Sequence, residues 1–317
     1  MLDDHYLAEG ITALSRCQQA MDGHAGAAVL AAYFFSREND FEAGAETQLQ
    51  KVLDDAIARN ARGCFAGPAA DGTNLFAPRQ HQEPDPALGD RICSALASKI
   101  SQLQASGHCT IFASLALKGL NANPLLSTPA IVEGICQLIG KFDGSPGKGY
   151  YGEERGWLAG VPVDPEKHLP PYQSIDDLVA TALNELVNSP KVKTKGYGAL
   201  VHLVTHTNAL VELHQMGHGD LAQQAFAAHQ THIMLLRSLP PETDDNGVPV
   251  PLKPNPLSPL SSSYWRNFDP HAQAPSALNL GGADHAIKVS YAFFHLCHFL
   301  KDNRLKEQAL AHLGYIT

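Results

Sequence analysis

Apolar residues recur every three or four positions through most of this chain, and they nowhere alternate in twos for long. Over 3–21, Leu7, Ile11, Leu14 and Cys17 mark one face of a helix, because that spacing returns side chains to the same side of a 3.6-residue turn. The same reading predicts helices over 24–35, 46–57, 90–105, 108–117, 129–139, 174–187, 198–214, 220–236, 284–300 and 304–313. Boundary residues agree with it. Thr128 or Ser127 stands ahead of Pro129, which suits a first helical position. Ser174 is placed as an N-cap, with Asp176 and Asp177 where a helix N-terminus favours negative charge. With no strand pattern, the expected fold class is all-α.

Four of these helices begin at or near a histidine: His24, His108, His202 and His285, separated by 84, 94 and 83 residues. A Gly precedes three of them closely, as in Gly23-His24, Gly107-His108 and Gly282-Ala-Asp-His285. Such a period suggests one helical unit used four times, over about 3–60, 90–142, 174–237 and 281–314, in a single domain spanning 1–317. Small residues surround the first head (Ala25, Gly26, Ala27, Ala28), as expected of an inner helix crowded by neighbours. An α/α toroid satisfies both features, with the histidine-headed helices inside. The connections 59–89, 142–172 and 239–280 are rich in Gly, Pro, Asn and Asp and longer than ordinary loops, so they are read as a cover over one end of the ring. Their aromatic residues, Tyr150, Tyr151, Trp157, Tyr172, Tyr264, Trp265 and Phe268, either stack on a planar substrate or anchor the loops.

Composition narrows the function. The net charge is −9, and no Lys/Arg cluster is present to neutralise phosphates, which argues against nucleic acid and anionic membranes as partners. No stretch approaches the length of a membrane span, and the acidic start Met1-Leu-Asp-Asp-His-Tyr6 lacks a secretory signal. Six cysteines, Cys17, Cys64, Cys93, Cys109, Cys136 and Cys297, form no C-x-x-C pair and read as buried thiols of a reducing compartment. A cytoplasmic protein with a small-molecule partner is the expectation.

The chemistry concentrates in the third and fourth heads. His202 and His206 lie four residues apart on one helix face beside Thr205, and Lys288 shares a face with His285. A lysine removed from water has a lowered pKa and serves as acid, base or oxyanion partner; a surface lysine whose stem alone is covered is the other reading. His202, His285 and Lys288 are therefore the candidate catalytic groups, with His24, His108, Thr205 and His206 as substrate-binding groups. Histidine pairs at ligand spacing also occur at His214/His218, His229/His232 and His295/His298, but no H-E-x-x-H or His-Cys-Cys pattern accompanies them, and no metal ligand is assigned. Gly147-Lys-Gly149-Tyr-Tyr-Gly152 has the letters of a dinucleotide fingerprint without a strand before it or a helix after it.

Taken in order, Gly23-His-Ala-Gly-Ala-Ala-Val-Leu30, Ser106-Gly-His-Cys-Thr-Ile111, Val201-His-Leu-Val-Thr205 with Asn208-Ala-Leu210, and Asp284-His-Ala-Ile-Lys288 resemble the signatures of the questin oxidase-like family. The chain departs from them at Gly23, where Asn is usual, and at Cys109, where Gly is usual. The resemblance implies an oxidoreductase, typified by NADPH- and oxygen-dependent ring opening of an anthraquinone, with His24, His108, His202, Thr205, His285 and Lys288 at the matching positions. Two other readings stand beside it: a metal-assisted hydrolase or cyclase on a toroid scaffold, and a non-catalytic ligand-binding helical protein.

Overall fold

In the computed structural model, residues 1–60, 74–142, 144, 169–194, 199–268 and 282–317 are described. Thirteen α-helices occur among them: α1 His5–Ser15, α2 Gly23–Glu38, α3 Ala45–Asn60, α4 Gly89–Ala97, α5 His108–Ala122, α6 Pro129–Gly140, α7 Ile175–Asn188, α8 Ala199–Gln215, α9 Gly219–Gln224, α10 Phe226–Ser238, α11 Ser262–Arg266, α12 Ala283–Phe299 and α13 Asn303–His312. No β-sheet forms among the described residues; only isolated bridges such as Val192 to Pro251 pair extended chain. No helix there is long and apolar enough to cross a membrane.

Burial sorts the helices into two groups. Residues 23–36 of α2 and 283–297 of α12 are buried on every side, and α5 and α8 are nearly so. A helix apolar all round belongs inside a core. These four pack in a closed circuit, α2 on α5, α5 on α8, α8 on α12 and α12 back on α2. The others carry one apolar stripe and lie against the circuit: α1 on α2, α6 on α1, α4 on α6, α7 on α8, α13 on α7 and α11 on α3. In α1 the stripe is Leu7, Ile11 and Leu14, each contributing roughly 2 kcal/mol by leaving water.

Some boundaries differ from the periodicity. The helix expected over 3–21 stops at Ser15 because the Asp22 carboxylate accepts the backbone N–H groups of Gln18 and Gln19, at 2.9 and 2.8 Å, and turns the chain into α2. The one expected over 90–105 stops at Ala97; Ile100 and Leu103 still reach the core, but from a turn. The segment 220–236 is two helices, α9 and α10, broken at Ala225. Ser174 caps α7 through Asp177 N–H as expected. Pro129 is the first residue of α6, yet the Thr128 hydroxyl makes no cap bond; the Gln82 side chain accepts from Ala130 N–H instead, at 2.8 Å.

Among the loop aromatics, Trp265 donates its ring N–H to Pro259 carbonyl at 2.6 Å and packs with Tyr264 and Phe268, while Tyr172 packs edge-on to Phe226. These four anchor the chain to its core. Tyr150, Tyr151, Trp157, Cys64 and the glycine-rich 147–152 stretch lie outside the described residues.

Candidate functional site

The glycines beside the histidine heads have steric causes. Gly107 has φ +89°, a left-handed conformation that L side chains resist, and a Cβ there would also meet the His206 ring. It completes a turn whose preceding residues, Ala105 and Ser106, hold positive φ of 44° and 58°. That turn aims His108 into the ring, and its Nδ1 bonds Ala105 carbonyl. Gly23 is needed for a different reason. A Cβ on it would strike the Phe112 ring, the side chain on which His24 and His108 both lean, with ring centroids 5.4 and 5.3 Å away.

All four heads converge. Ring centroids are 4.5 Å apart for His24 and His108, 4.6 Å for His108 and His202, 5.1 Å for His202 and His285, and 4.6 Å for His285 and His24. Each imidazole thus lies against the next near the N-terminal ends of α2, α5, α8 and α12, buried from solvent. Asp284 and Lys288, one turn apart on α12, join them. Asp284 Oδ2 lies 2.8 Å from His24 Nδ1 and 3.0 Å from His285 Nδ1, and Lys288 Nζ lies 2.5 Å from His24 Nδ1. The Nε2 atoms of His285 and His202 are 3.2 Å apart.

One ring nitrogen cannot donate to a carboxylate and accept from an ammonium at once. His24 therefore has two proton arrangements. With Nδ1–H given to Asp284, its Nε2 carries the lone pair; with Nδ1 accepting from Lys288, Nε2 carries the proton. His108 is fixed more simply, since it gives Nδ1–H to Ala105 carbonyl, which leaves Nε2 as the lone-pair nitrogen, while His285 Nδ1 stands 3.0 Å from the Asp284 carboxylate. Metal-bound histidines are held in this way by an oxygen acceptor on the far nitrogen.

The electrostatics favour neutral rings. Burial, reinforced by the Lys288 charge, pulls His24 down to about 3. His108 falls well below its usual value through burial and its histidine neighbours, and burial likewise lowers His285 against the pull of Asp284. Lys288 is buried, and the loss of water lowers it to about 8 although Asp284 opposes this. Burial would raise Asp284, but the surrounding His285 and Lys288 hold it well below the usual carboxylate range. The cluster so offers neutral imidazoles and one anion, the protonation states that ligate cations.

One nitrogen from each of His24, His108 and His285 lies within 4.8 Å of the other two, and these three can hold a metal ion. Nitrogens on one ion at about 2.1 Å are at most about 4.2 Å apart, so the rings draw in slightly on binding. A further ligand is at hand: Asp284 Oδ1 is buried and has no hydrogen-bond partner among the described residues.

His24, His108, His202, His285 and Lys288 are brought together. Thr205 lies just below, its hydroxyl donating to Val201 and His202 carbonyls at 3.2 Å. His206 is not part of the group. It faces α10, with Nδ1 3.3 Å from His232 Nδ1 and its ring against His229. His229 in turn bonds Thr207 and Tyr172 at 2.9 and 3.0 Å, so the His229/His232 pair belongs to a packed polar knot. From sequence, Asp284 stands out only as the one carboxylate among the helix heads, open to a two-histidine, one-carboxylate iron site that no further pattern supports; Phe112 carried no signal. No family model matches this chain, and no curated protein or solved structure does either.

Proposed function

We propose that the protein is an oxidoreductase acting on an aromatic or polyketide-like small molecule at a single metal ion held by His24, His108 and His285. The observation that carries this is the approach of those three nitrogens to within 4.8 Å of one another. The ordered resemblance to the questin oxidase-like family supports the redox class, and the closed circuit of α2, α5, α8 and α12 with helices packed outside it supports the α/α toroid. A bound ion would supply Lewis acidity and, if redox-active, a route to oxygen chemistry. Lys288 takes the proton of an acidic phenol when neutral and balances the resulting oxyanion when charged, which its lowered pKa of about 8 allows near neutrality. Asp284 orients His24 and His285. Phe112 offers the apolar wall beside them. NADPH rests on the resemblance; among the described residues no strand–turn–helix unit exists to cradle a pyrophosphate.

Three imidazoles with an open position are also the donor set of hydrolytic zinc centres, so a metal-assisted hydrolase or cyclase is the second reading. Metal analysis of the purified protein, followed by oxygen uptake with a panel of hydroxyanthraquinones, separates them. One iron, copper or manganese per chain with substrate-dependent oxygen uptake is expected; zinc with none moves the assignment to the hydrolase. Failure of the loaded wild type to retain any transition metal would sink both.

A further inference from the structure

The connection after α10 builds a feature that the histidine site does not use. Its two arms pair at Thr243 and Pro249, on either side of a turn in which Gly247 holds φ +78°. Residues 192–194 lie across the base of the arms through bridges from Val192 to Pro251 and from Thr194 to Pro241. Lys193 N–H donates to the Val250 carbonyl, and the Lys193 carbonyl accepts from Glu242 N–H, both at 2.8 Å. Pro240, Pro241, Pro249 and Pro251 fix φ along both arms. The result is a stiff strap that holds its shape apart from the helices it crosses.

Between this strap and the C-terminal ends of α7 and α10 is a cavity of about 590 Å³. Small-molecule pockets span roughly 300–1,000 Å³, so it has the size of a ligand site. Its walls are mostly apolar, with Val192, Leu200, Leu236, Leu239 and Leu252 among them, and none of the four histidine heads or Lys288 lines it. The charges at its wall are uneven. Arg237 is held by the Glu185 carboxylate through two hydrogen bonds, whereas no carboxylate lies within ion-pair reach of Lys193 among the described residues. Lys191 beside it is already engaged, its ammonium donating to the Leu186 and Val187 carbonyls at the end of α7. One unmatched cation therefore stands at the wall of an apolar chamber, on a chain whose net charge is −9. Such a local excess draws an anion that the rest of the surface repels.

We propose that this cavity is a second binding site, for an amphipathic organic anion: a fatty or aryl carboxylate whose apolar body lies against Leu200, Leu236 and Leu252 and whose head pairs with Lys193. A molecule charged at one end matches a chamber charged at one wall and apolar at the others. Burial of the apolar body supplies most of the affinity, and the charge-assisted bond to Lys193 selects the acid over its neutral analogue. The site stands apart from the metal reading; the two share only α8, which carries Leu200 and His202.

Isothermal titration of the full chain with decanoate and with 1-decanol tests it. Decanoate should saturate at one molecule per chain, and 1-decanol should bind about tenfold more weakly, the share of one charge-assisted hydrogen bond. Lys193→Met should weaken decanoate about tenfold and leave 1-decanol unchanged. Val192→Trp, which fills the chamber, should abolish both, with its fold checked by far-UV circular dichroism. Zinc uptake should be the same in wild type and both variants. No saturable uptake of decanoate by the wild type overturns the site, and so does binding undiminished in a folded Val192→Trp. Equal affinity for acid and alcohol, or a Lys193→Met that binds decanoate as the wild type does, overturns the assignment of an anion. Lys193 is partly exposed, so its variant decides the matter by itself if Val192→Trp does not fold.

Discussion

Acid should unfold this protein well before its carboxylates titrate. Burial lowers His24 from 6.5 to about 3 and His206 to about 4, so below pH 6.5 the unfolded chain binds protons that the folded chain refuses. Stability therefore falls as pH falls through that window, at about 1.4 kcal/mol per pH unit for each such group, until the folded pKa is reached. Between pH 7 and 5 the cost is about 1.8 kcal/mol for each ring, roughly 4 kcal/mol for the two, against a usual total stability of about 5–15 kcal/mol. His108, His229, His232 and His285 shift in the same direction for the same reason and add to it. Urea unfolding followed by far-UV circular dichroism at pH 7, 6 and 5, with chelator present, reads the effect directly. The midpoint should drop steeply, and His206→Gln should flatten the drop by about one ring's share, roughly 1.4 kcal/mol per pH unit. A midpoint unchanged from pH 7 to 5 would refute the reasoning, since it would mean that the imidazoles are solvated or already charged in the folded protein.

Metal should oppose that loss. At a hundredfold excess over its dissociation constant, a bound ion stabilises by about 2.7 kcal/mol; thermal melts with and without Co²⁺ or Zn²⁺ should show the rise, and His24→Ala, His108→Ala and His285→Ala should each abolish it. His229→Phe strips partners from Thr207 and Tyr172 and should cost about 2–4 kcal/mol by urea melt, while metal uptake measured by equilibrium dialysis stays intact; lost uptake would tie the polar knot to the site. Gly107→Ala, strained at φ +89° and pressed on His206, should displace His108 and lower metal affinity at least tenfold by competition titration, a loss of about 1.4 kcal/mol. Lys288→Met removes a buried cation from beside the ligands, so metal affinity should rise while substrate-dependent turnover falls; an affinity loss would make Lys288 a ligand partner rather than a proton carrier.

The sequence made the four heads legible because each is a local pattern: a histidine, a nearby glycine and a helical run. Lys288 was legible for the same reason, standing in an apolar helix one turn from His285. What could not be read was direction. His202 and His206 share a helix face by spacing, yet α8 is buried all round, so that face is divided between two neighbours; His202 meets α12 while His206 meets α10. Spacing along one helix fixes angle and height, and only the packing of the others decides what stands opposite. The same limit hid the metal geometry, since His24, His108 and His285 lie on three helices and no pair among them has ligand spacing in the chain. The break at Ala225 was hidden because α9 and α10 both keep an apolar stripe across it.

The hydrogen bond from His24 to Asp284 joins residues 260 positions apart, and that separation bears on how the molecule is made. A chain emerging from the ribosome completes α2, α5 and α8 long before α12 exists, and only the last of these brings the carboxylate and the third imidazole. Loop closure over that length must precede any reward from the contact. An ion held by His24, His108 and His285, as proposed, would therefore find no formed site during most of synthesis, would bind the finished fold far better than any fragment, and would act as a clasp fastening α12 to α2 and α5 after the chain has closed.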